Sequence, residues 1–213
     1  VVMESMACGR PVIAACINGV PELLTPNEGW LVPAGDATAF AAAIDAMRIA
    51  NRISGRDFYS WLTATADGEL VQGSNGIGLK PDFATANLPN CEILFVCASS
   101  ASELKDKAKI LAAIRAQARR GGGLGGLVIG AILLAEAGQL NGYRCTVHWE
   151  NRAAFVERFP DVECTGNVFE IDRKRFTCAG GTTAIDLMLE IIRGDLGADV
   201  AAEVANQIQH ERI

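Results

Sequence analysis

The stretch Gly126-Leu127-Val128-Ile129-Gly130-Ala131 joins a short apolar strand directly to a helix. Glycine stands two residues before and two residues after Val128, and small residues at these positions permit a strained strand-to-helix turn. Such a turn projects its central side chain above the end of a sheet. The stretch therefore predicts a sharp turn at the carboxyl end of a buried strand.

Strands and helices alternate on both sides of this turn. We predict strands from short β-branched or apolar runs and helices from 3.6-residue periodicity. The strands fall at residues 11–15, 29–32, 59–64, 93–97, 126–128, 144–147, 168–171 and 175–178. The helices fall at residues 37–51, 102–119, 130–137, 153–158, 182–194 and 199–210. This order predicts an α/β fold with a mostly parallel sheet sandwiched by helices. Residues 168–178 add a short hairpin insertion with a polar turn at Asp172-Arg173-Lys174.

Composition limits the classes of function. The 213 residues carry a net charge of −6, and the densest basic group, Arg115 with Arg119 and Arg120, is small. We therefore expect no direct contact with nucleic acid. The longest apolar stretch, residues 127–135, is too short to span a bilayer, so no membrane partner is expected. The seven cysteines form no C-x-x-C pair, which favours reduced thiols in the cytoplasm.

The central residue of the turn decides between enzyme and binding module. In an enzyme the position would hold Cys or Ser, but Val128 has no lone pair with which to attack. Because losing a nucleophile lowers turnover by up to about a millionfold, we predict no catalytic residue and no enzyme activity. A buried strand that simply enters a helix remains the alternative. Gly121, Gly123 and Gly126 fit G-x-G-x-x-G but follow a helix, so no dinucleotide or other cofactor is predicted.

A second segment, Thr146-Val147-His148-Trp149-Glu150, ends a predicted strand with one of the two histidines. Carboxyl ends of parallel strands gather around one crevice, so His148 and the Val128 turn can face the same pocket. Cys145 and His148 are not predicted to bind metal, because positions three apart point to opposite strand faces. His210 is predicted to lie on the surface. The candidate ligand-binding residues are Val128, Ile129, Gly130, His148, Trp149 and Glu150.

The roles of these residues have alternatives. The Trp149 π face suits a cationic ligand, and Glu150 would supply charge. In the alternative interpretation, His148 has a structural role, Trp149 packs in an interface and Glu150 caps the following helix.

From about Phe40 to Ile213 the chain resembles the sensory domain of GlxA-type, AraC-family transcriptional regulators. That domain has the class I glutamine amidotransferase-like, ThiJ/PfpI-like fold, which is a flavodoxin-like arrangement. The matching stretches are DAMRIANR (45–52), SNGI (74–77), LAEAG (134–138), TVHWE (146–150), FVERFP (155–160), CAGGT (178–182) and HERI (210–213).

The resemblance implies roles for two positions and a class of effector. Catalytic relatives place Cys at the position of Val128 and His at that of His148, whereas the regulators often lack the Cys and bind small metabolites. Amino acids and quaternary amines such as betaines are the expected effector class, and a homodimer is the expected assembly. The helix-turn-helix domain of the regulators would follow Ile213, so this chain is not expected to read DNA.

The first residues resemble something else. The stretches ESMACGRPVIA (4–14), NGVPE (18–22) and GWLVPAGD (29–36) resemble the donor-binding end of family 4 glycosyltransferases. Glu4 matches the second glutamate of their E-x7-E motif. We predict that residues 1–36 are a glycosyltransferase-like fragment that can supply an edge or first strand to an amidotransferase-like sensing domain at residues 37–213.

Three functions follow from these observations. The first is a non-catalytic, small-molecule-sensing and dimerisation domain of a transcriptional regulator. The second is an enzyme, either a ThiJ/PfpI-like hydrolase or amidotransferase or a remnant glycosyltransferase. A thiol route would require Cys97 or Cys145 to be exposed near His148 with a lowered pKa. The third is a purely structural dimerisation unit that pairs through the amphipathic helices of residues 182–210.

Overall fold

The structure is a computed structural model, and it describes residues 30–31, 37–73, 77–98, 104 and 106–210. The predicted strand at residues 11–15, the first residues of the predicted helix at 102–119, and Glu4 lie outside the described residues.

Helices separate many of the described strands, as predicted, but β2 to β6 follow one another without an intervening α-helix. The strands are β1 (Trp30–Leu31), β2 (Thr63–Thr65), β3 (Val71–Gln72), β4 (Gly78–Leu79), β5 (Phe83–Ala84), β6 (Ile93–Ala98), β7 (Gly123–Val128), β8 (Arg144–Cys145), β9 (Glu163–Cys164), β10 (Phe169–Asp172) and β11 (Arg175–Cys178). The helices are α1 (Ala37–Ser54), α2 (Lys107–Arg119), α3 (Gly130–Glu136), α4 (Trp149–Arg158), α5 (Thr183–Leu196) and α6 (Ala198–Gln207). A 3-10 turn at Thr85–Asn87 follows β5.

Seven of these strands form one sheet in the order β10-β11-β7-β6-β1-β2-β5. Every neighbouring pair is parallel except β10 and β11, which are antiparallel. The predicted hairpin is thus confirmed, and its second strand pairs with β7, so the hairpin extends the main sheet. Trp30–Leu31 pairs with β6 on one side and β2 on the other, so it is the first described strand and not an edge strand.

Alternation along β6 builds a core on each face of the sheet. Phe95 and Cys97 pack with α1, α5 and α6, whereas Leu94, Val96 and Ala98 pack with α2 and α3. Such period-2 alternation is what a strand buried on both faces requires. The α/β sandwich predicted from the sequence is therefore confirmed. None of the helices within the described residues combines the length and apolar character needed to cross a membrane.

The strand that leads to His148 differs from its prediction. Of the predicted residues only Arg144–Cys145 forms a strand, and it pairs with β9 in a separate two-stranded sheet. The argument that His148 ends a strand of the main parallel sheet was therefore wrong. The segment is nevertheless attached to that sheet, because the Thr146 amide donates to the Thr177 hydroxyl of β11 at 2.9 Å.

Candidate ligand site at the β7–α3 turn

The turn after β7 has the strained geometry that its glycines predict. Val128 has φ 59°, in the left-handed region that β-branched residues rarely adopt. A Cβ on Gly126 would lie 2.5 Å from the Ala131 nitrogen, and one on Gly130 would lie 1.9 Å from the Val96 oxygen. Only glycine fits at either position, because the helix begins in direct contact with the sheet.

The Val128 side chain lies between the turn and the start of α5. It is partly buried, it packs against the apolar clusters on both faces, and its Cγ2 lies 3.2 Å from where a Gly180 Cβ would be. The Gly180 amide donates to the Thr183 hydroxyl at 3.0 Å, which shapes the first turn of α5. Val128 therefore occupies the end of the sheet beside a helix N-terminus.

His148, Trp149 and Glu150 lie at the start of α4. His148 directly precedes the helix, its Nδ1 lies 3.5 Å from Glu150 Oε2, and its ring centroid lies 5.6 Å from that of Trp149. Trp149 is 75% exposed, so most of the residue is accessible to a molecule in solution. Glu150 lies in the first turn, where a negative charge interacts favourably with the helix dipole.

The two predicted segments contribute to the same apolar cluster. Val147 and Ile129 belong to one buried cluster, against which Val128 packs. Ile129 is 7% exposed and Gly130 is buried, so these two residues can offer a ligand little but backbone. Val128, His148, Trp149 and Glu150 are the predicted site residues whose side chains reach solvent.

Cys97 and Cys145, the two thiols considered for catalysis near His148, lack the exposure that a catalytic nucleophile needs. Cys97 and Cys145 are buried, and burial raises the pKa of Cys145 to about 12, with a smaller contribution from Cys164. A thiol in that state holds almost no thiolate near neutral pH. The condition set for thiol catalysis through Cys145 is not met. Among the described residues, no three His, Cys, Asp or Glu side chains are grouped as a metal site would require.

A separate cleft, which no sequence pattern indicated, lies beside α5. Its volume is about 1440 Å³, and its walls come from the end of α1, the segment before β6, the β10–β11 hairpin and α5. Tyr59 donates to Asp195 Oδ2 at 2.9 Å in this cleft. Burial, followed by the Asp195 carboxylate, raises the pKa of Tyr59 above its usual range. Because these walls are distant in sequence, no local motif could have revealed them.

His210 also differs from its prediction. Its side chain is 16% exposed, and its Nε2 lies 3.1 Å from Oδ1 of Asp186, which is 2% exposed. The predicted surface position was wrong, because the residues after α6 fold back onto α5.

The fold and this turn agree with the family assignment of the chain. Residues 37–194 match the model of the DJ-1/PfpI family. The chain belongs to the DJ-1/PfpI family. Its first residues, 1–48, match the model of glycosyl transferases group 1. Both resemblances inferred from the sequence are thereby confirmed.

Regulators and a glycosyltransferase are among the relatives of this DJ-1/PfpI chain. The HTH-type transcriptional regulator GbdR of Pseudomonas aeruginosa is 39% identical over 175 residues, which cover 82% of this chain and 48% of the regulator. The crystal structure of an AraC family transcriptional regulator from Pseudomonas putida superposes with a TM-score of 0.77 and 30% identity, covering 86% of this chain and 100% of that one. The amylovoran biosynthesis glycosyltransferase AmsK of Erwinia amylovora is 51% identical over 43 residues, which are 20% of this chain and 11% of the enzyme. The chain spans about half the length of the curated regulators that it matches.

Proposed function

We propose that this DJ-1/PfpI chain is the non-catalytic, small-molecule-sensing and dimerisation domain of a cytoplasmic transcriptional regulator. Its similarity to AraC-family regulators over most of its length supports this function. The proposed sensing part is residues 37–213, and Trp30–Leu31 contributes β1, the first described strand of its sheet. We do not expect the sensing domain of residues 37–213 to contact DNA.

One observation carries the proposal: Val128 occupies the strained turn in which enzymes hold a nucleophile. The turn retains its positive φ and both glycines although a β-branched residue there is costly. Since the Val128 side chain cannot attack or transfer a proton, what the turn offers is shape. This combination favours binding over catalysis.

The proposed ligand lies against Val128, His148, Trp149 and Glu150, with Ile129 and Gly130 forming the floor. The exposed indole of Trp149 and the carboxylate of Glu150, whose side chain is 63% exposed, suit an amino acid or a quaternary amine. The cleft beside α5 is the alternative position for the same ligand, because it also combines aromatic rings and carboxylates.

A thermal-shift screen against amino acids, betaines, polyamines and sugar nucleotides tests the proposal. A ligand at 100 times its Kd adds about 2.7 kcal/mol to the free energy of unfolding, which raises Tm by roughly 5 °C or more in a chain of this size. We expect a shift with an amine or amino acid. No shift with any compound would contradict sensing, and a shift with sugar nucleotides alone would favour the glycosyltransferase alternative.

Variants locate the ligand. We expect Trp149→Ala to abolish most of the shift, whereas Val156→Ala, which removes a 47% exposed side chain from the same helix, leaves it unchanged. If Trp149→Ala keeps the shift and Phe58→Ala, in the cleft wall, loses it, then the ligand binds in the cleft and the proposed residues are wrong.

The homodimer is tested by sedimentation. The apolar faces of α5 and α6 pack on each other, on α1 and on the sheet, so a dimer through residues 182–210 would need their remaining surface. A monomer at high concentration would contradict the dimer.

A further inference from the structure

Two cysteines face each other across the small sheet formed by β8 and β9. Cys145 and Cys164 are direct partners in this parallel pair. Paired residues of neighbouring strands lie about 5 Å apart at Cα and point to the same face, and disulfides span Cα distances of about 4.4–6.8 Å. The backbone therefore already holds both thiols at a separation that a disulfide can bridge.

The two thiols differ in their access to solvent. Cys145 is fully buried, whereas Cys164 is partly exposed, and neither is in a disulfide. The Arg152 guanidinium lies over the turn that follows Cys164, since its Nη1 is 3.1 Å from where a Gly166 Cβ would be. Because Cys164 is the more exposed of the two residues, an oxidant from solvent is expected to react with Cys164 before the buried Cys145.

Electrostatics assign the same roles. Burial raises the pKa of Cys164, but the Arg152 guanidinium and the Cys145 thiol both oppose that rise. Burial, with smaller contributions from Cys164 and Glu170, raises the pKa of Cys145 to about 12. Both thiols have a raised pKa, but only Cys164 has neighbours that oppose the rise, so Cys164 forms a thiolate more readily than Cys145.

We propose that Cys145 and Cys164 are a peroxide-oxidisable pair that forms a disulfide linking β8 to β9. The Cys164 thiolate attacks one oxygen of hydrogen peroxide, the O–O bond breaks, and the released hydroxide takes a proton to become water. Cys164 is then a sulfenic acid. The Cys145 sulfur, losing its proton, attacks the Cys164 sulfur and displaces hydroxide, which leaves as a second water. Two thiols and one peroxide thus give one disulfide and two waters.

This site goes beyond ligand sensing and does not depend on it. The disulfide would fasten the strand that leads into His148 and Trp149 to the segment that follows α4. It would close a loop that contains all of α4.

The test treats the native full chain with hydrogen peroxide at mildly alkaline pH, blocks remaining thiols under denaturing conditions, and maps peptides without reduction. We expect a crosslinked Cys145–Cys164 peptide whose mass is lower by two hydrogens and which dithiothreitol reverses. Cys164→Ser must abolish this peptide. Cys91→Ser, which removes another partly exposed thiol, must leave it intact.

A second variant separates the two steps. In Cys145→Ala, Cys164 keeps its access but has no thiol to receive the attack, so a dimedone adduct should accumulate at Cys164. If Cys145→Ala does not fold, the comparison of Cys164→Ser with Cys91→Ser still decides the question. Recovery of Cys145 as a free thiol after peroxide, with Cys164 unmodified or oxidised to the sulfinic acid, would overturn the proposal.

Discussion

The β7–α3 turn and the cleft beside α5 are both candidate places for a small molecule, but they are built in opposite ways. The turn is a local feature in which consecutive residues and two glycines force one backbone path. The cleft is a non-local feature made of side chains from four distant segments. Backbone contacts therefore limit what the turn tolerates, whereas the cleft should accept changes of side chain.

The largest expected contrast concerns one glycine in each region. Gly130→Ala places a Cβ 1.9 Å from the Val96 oxygen, so the helix must move away from the sheet. We expect the free energy of unfolding to fall by about 3 kcal/mol or more. Gly194→Ala, in the wall of the cleft, meets nothing within 4 Å and lies in α5, so it should raise stability by up to about 1 kcal/mol.

Urea unfolding of both variants measures this contrast. Equal stability of Gly130→Ala and the wild-type chain would show that α3 does not start against β6. That result would remove the case for a strained turn.

A middle-sized effect tests the backbone of Val128. The left-handed φ at position 128 costs about 1–2 kcal/mol for a residue other than glycine. Val128→Gly removes this cost, whereas Val128→Ala retains it. We expect the glycine variant to be at least as stable as the alanine variant. Val71 is a strand residue without positive φ. There we expect Val71→Gly to be less stable than Val71→Ala by about 0.5–1 kcal/mol, the usual difference between the two residues. The same order at both positions would contradict strain at Val128.

The smallest effect tests the cleft through Tyr59. Its pKa is raised in the folded chain, so the stability that it contributes is present below its unfolded pKa of about 10 and is lost as pH rises beyond that value. Tyr59→Phe should lower stability at pH 8 by up to about 1 kcal/mol, through loss of the hydrogen bond to Asp195. It should also lose less stability than the wild-type chain between about pH 9 and 11.

Urea midpoints measured across this pH range check the prediction. The cysteines whose pKa values are raised are the same in both chains, so their contribution cancels in the comparison. Parallel pH curves for the two chains would show that Tyr59 is not held as a neutral hydroxyl in the cleft.

Secondary structure could be predicted from the sequence where the residue types favour the backbone conformation that the fold uses. A continuous apolar run marked β6, and the polar turn between Phe169 and Phe176 marked the hairpin. β7 was predicted only from Gly126, although it starts at Gly123, because glycine carries no strand propensity of its own. The structure shows why glycine is there: a Cβ on Gly125 would lie 2.1 Å from the Phe95 ring.

Tertiary context decided what the sequence could not. The run around Val147 was predicted as a strand of the main sheet. Its strand part, Arg144–Cys145, pairs with β9 instead, and α4 begins at Trp149, four residues earlier than predicted. The two-residue strands β3, β4, β5 and β9 were missed because they are too short for any periodicity. His210 was placed on the surface because its partner, Asp186, is far away in sequence.

The position of Trp30–Leu31 shows where the described sheet begins relative to the family match. The DJ-1/PfpI match begins at residue 37, yet β6 and β2 are joined only through β1, within the sheet that the structure describes. A chain cut at the family boundary would leave β6 and β2 with unpaired backbone groups along their inner edges. The border of the family match and the border of the sheet therefore differ, since a stretch that also matches glycosyl transferases group 1 contains the strand that joins β6 to β2 in the described sheet.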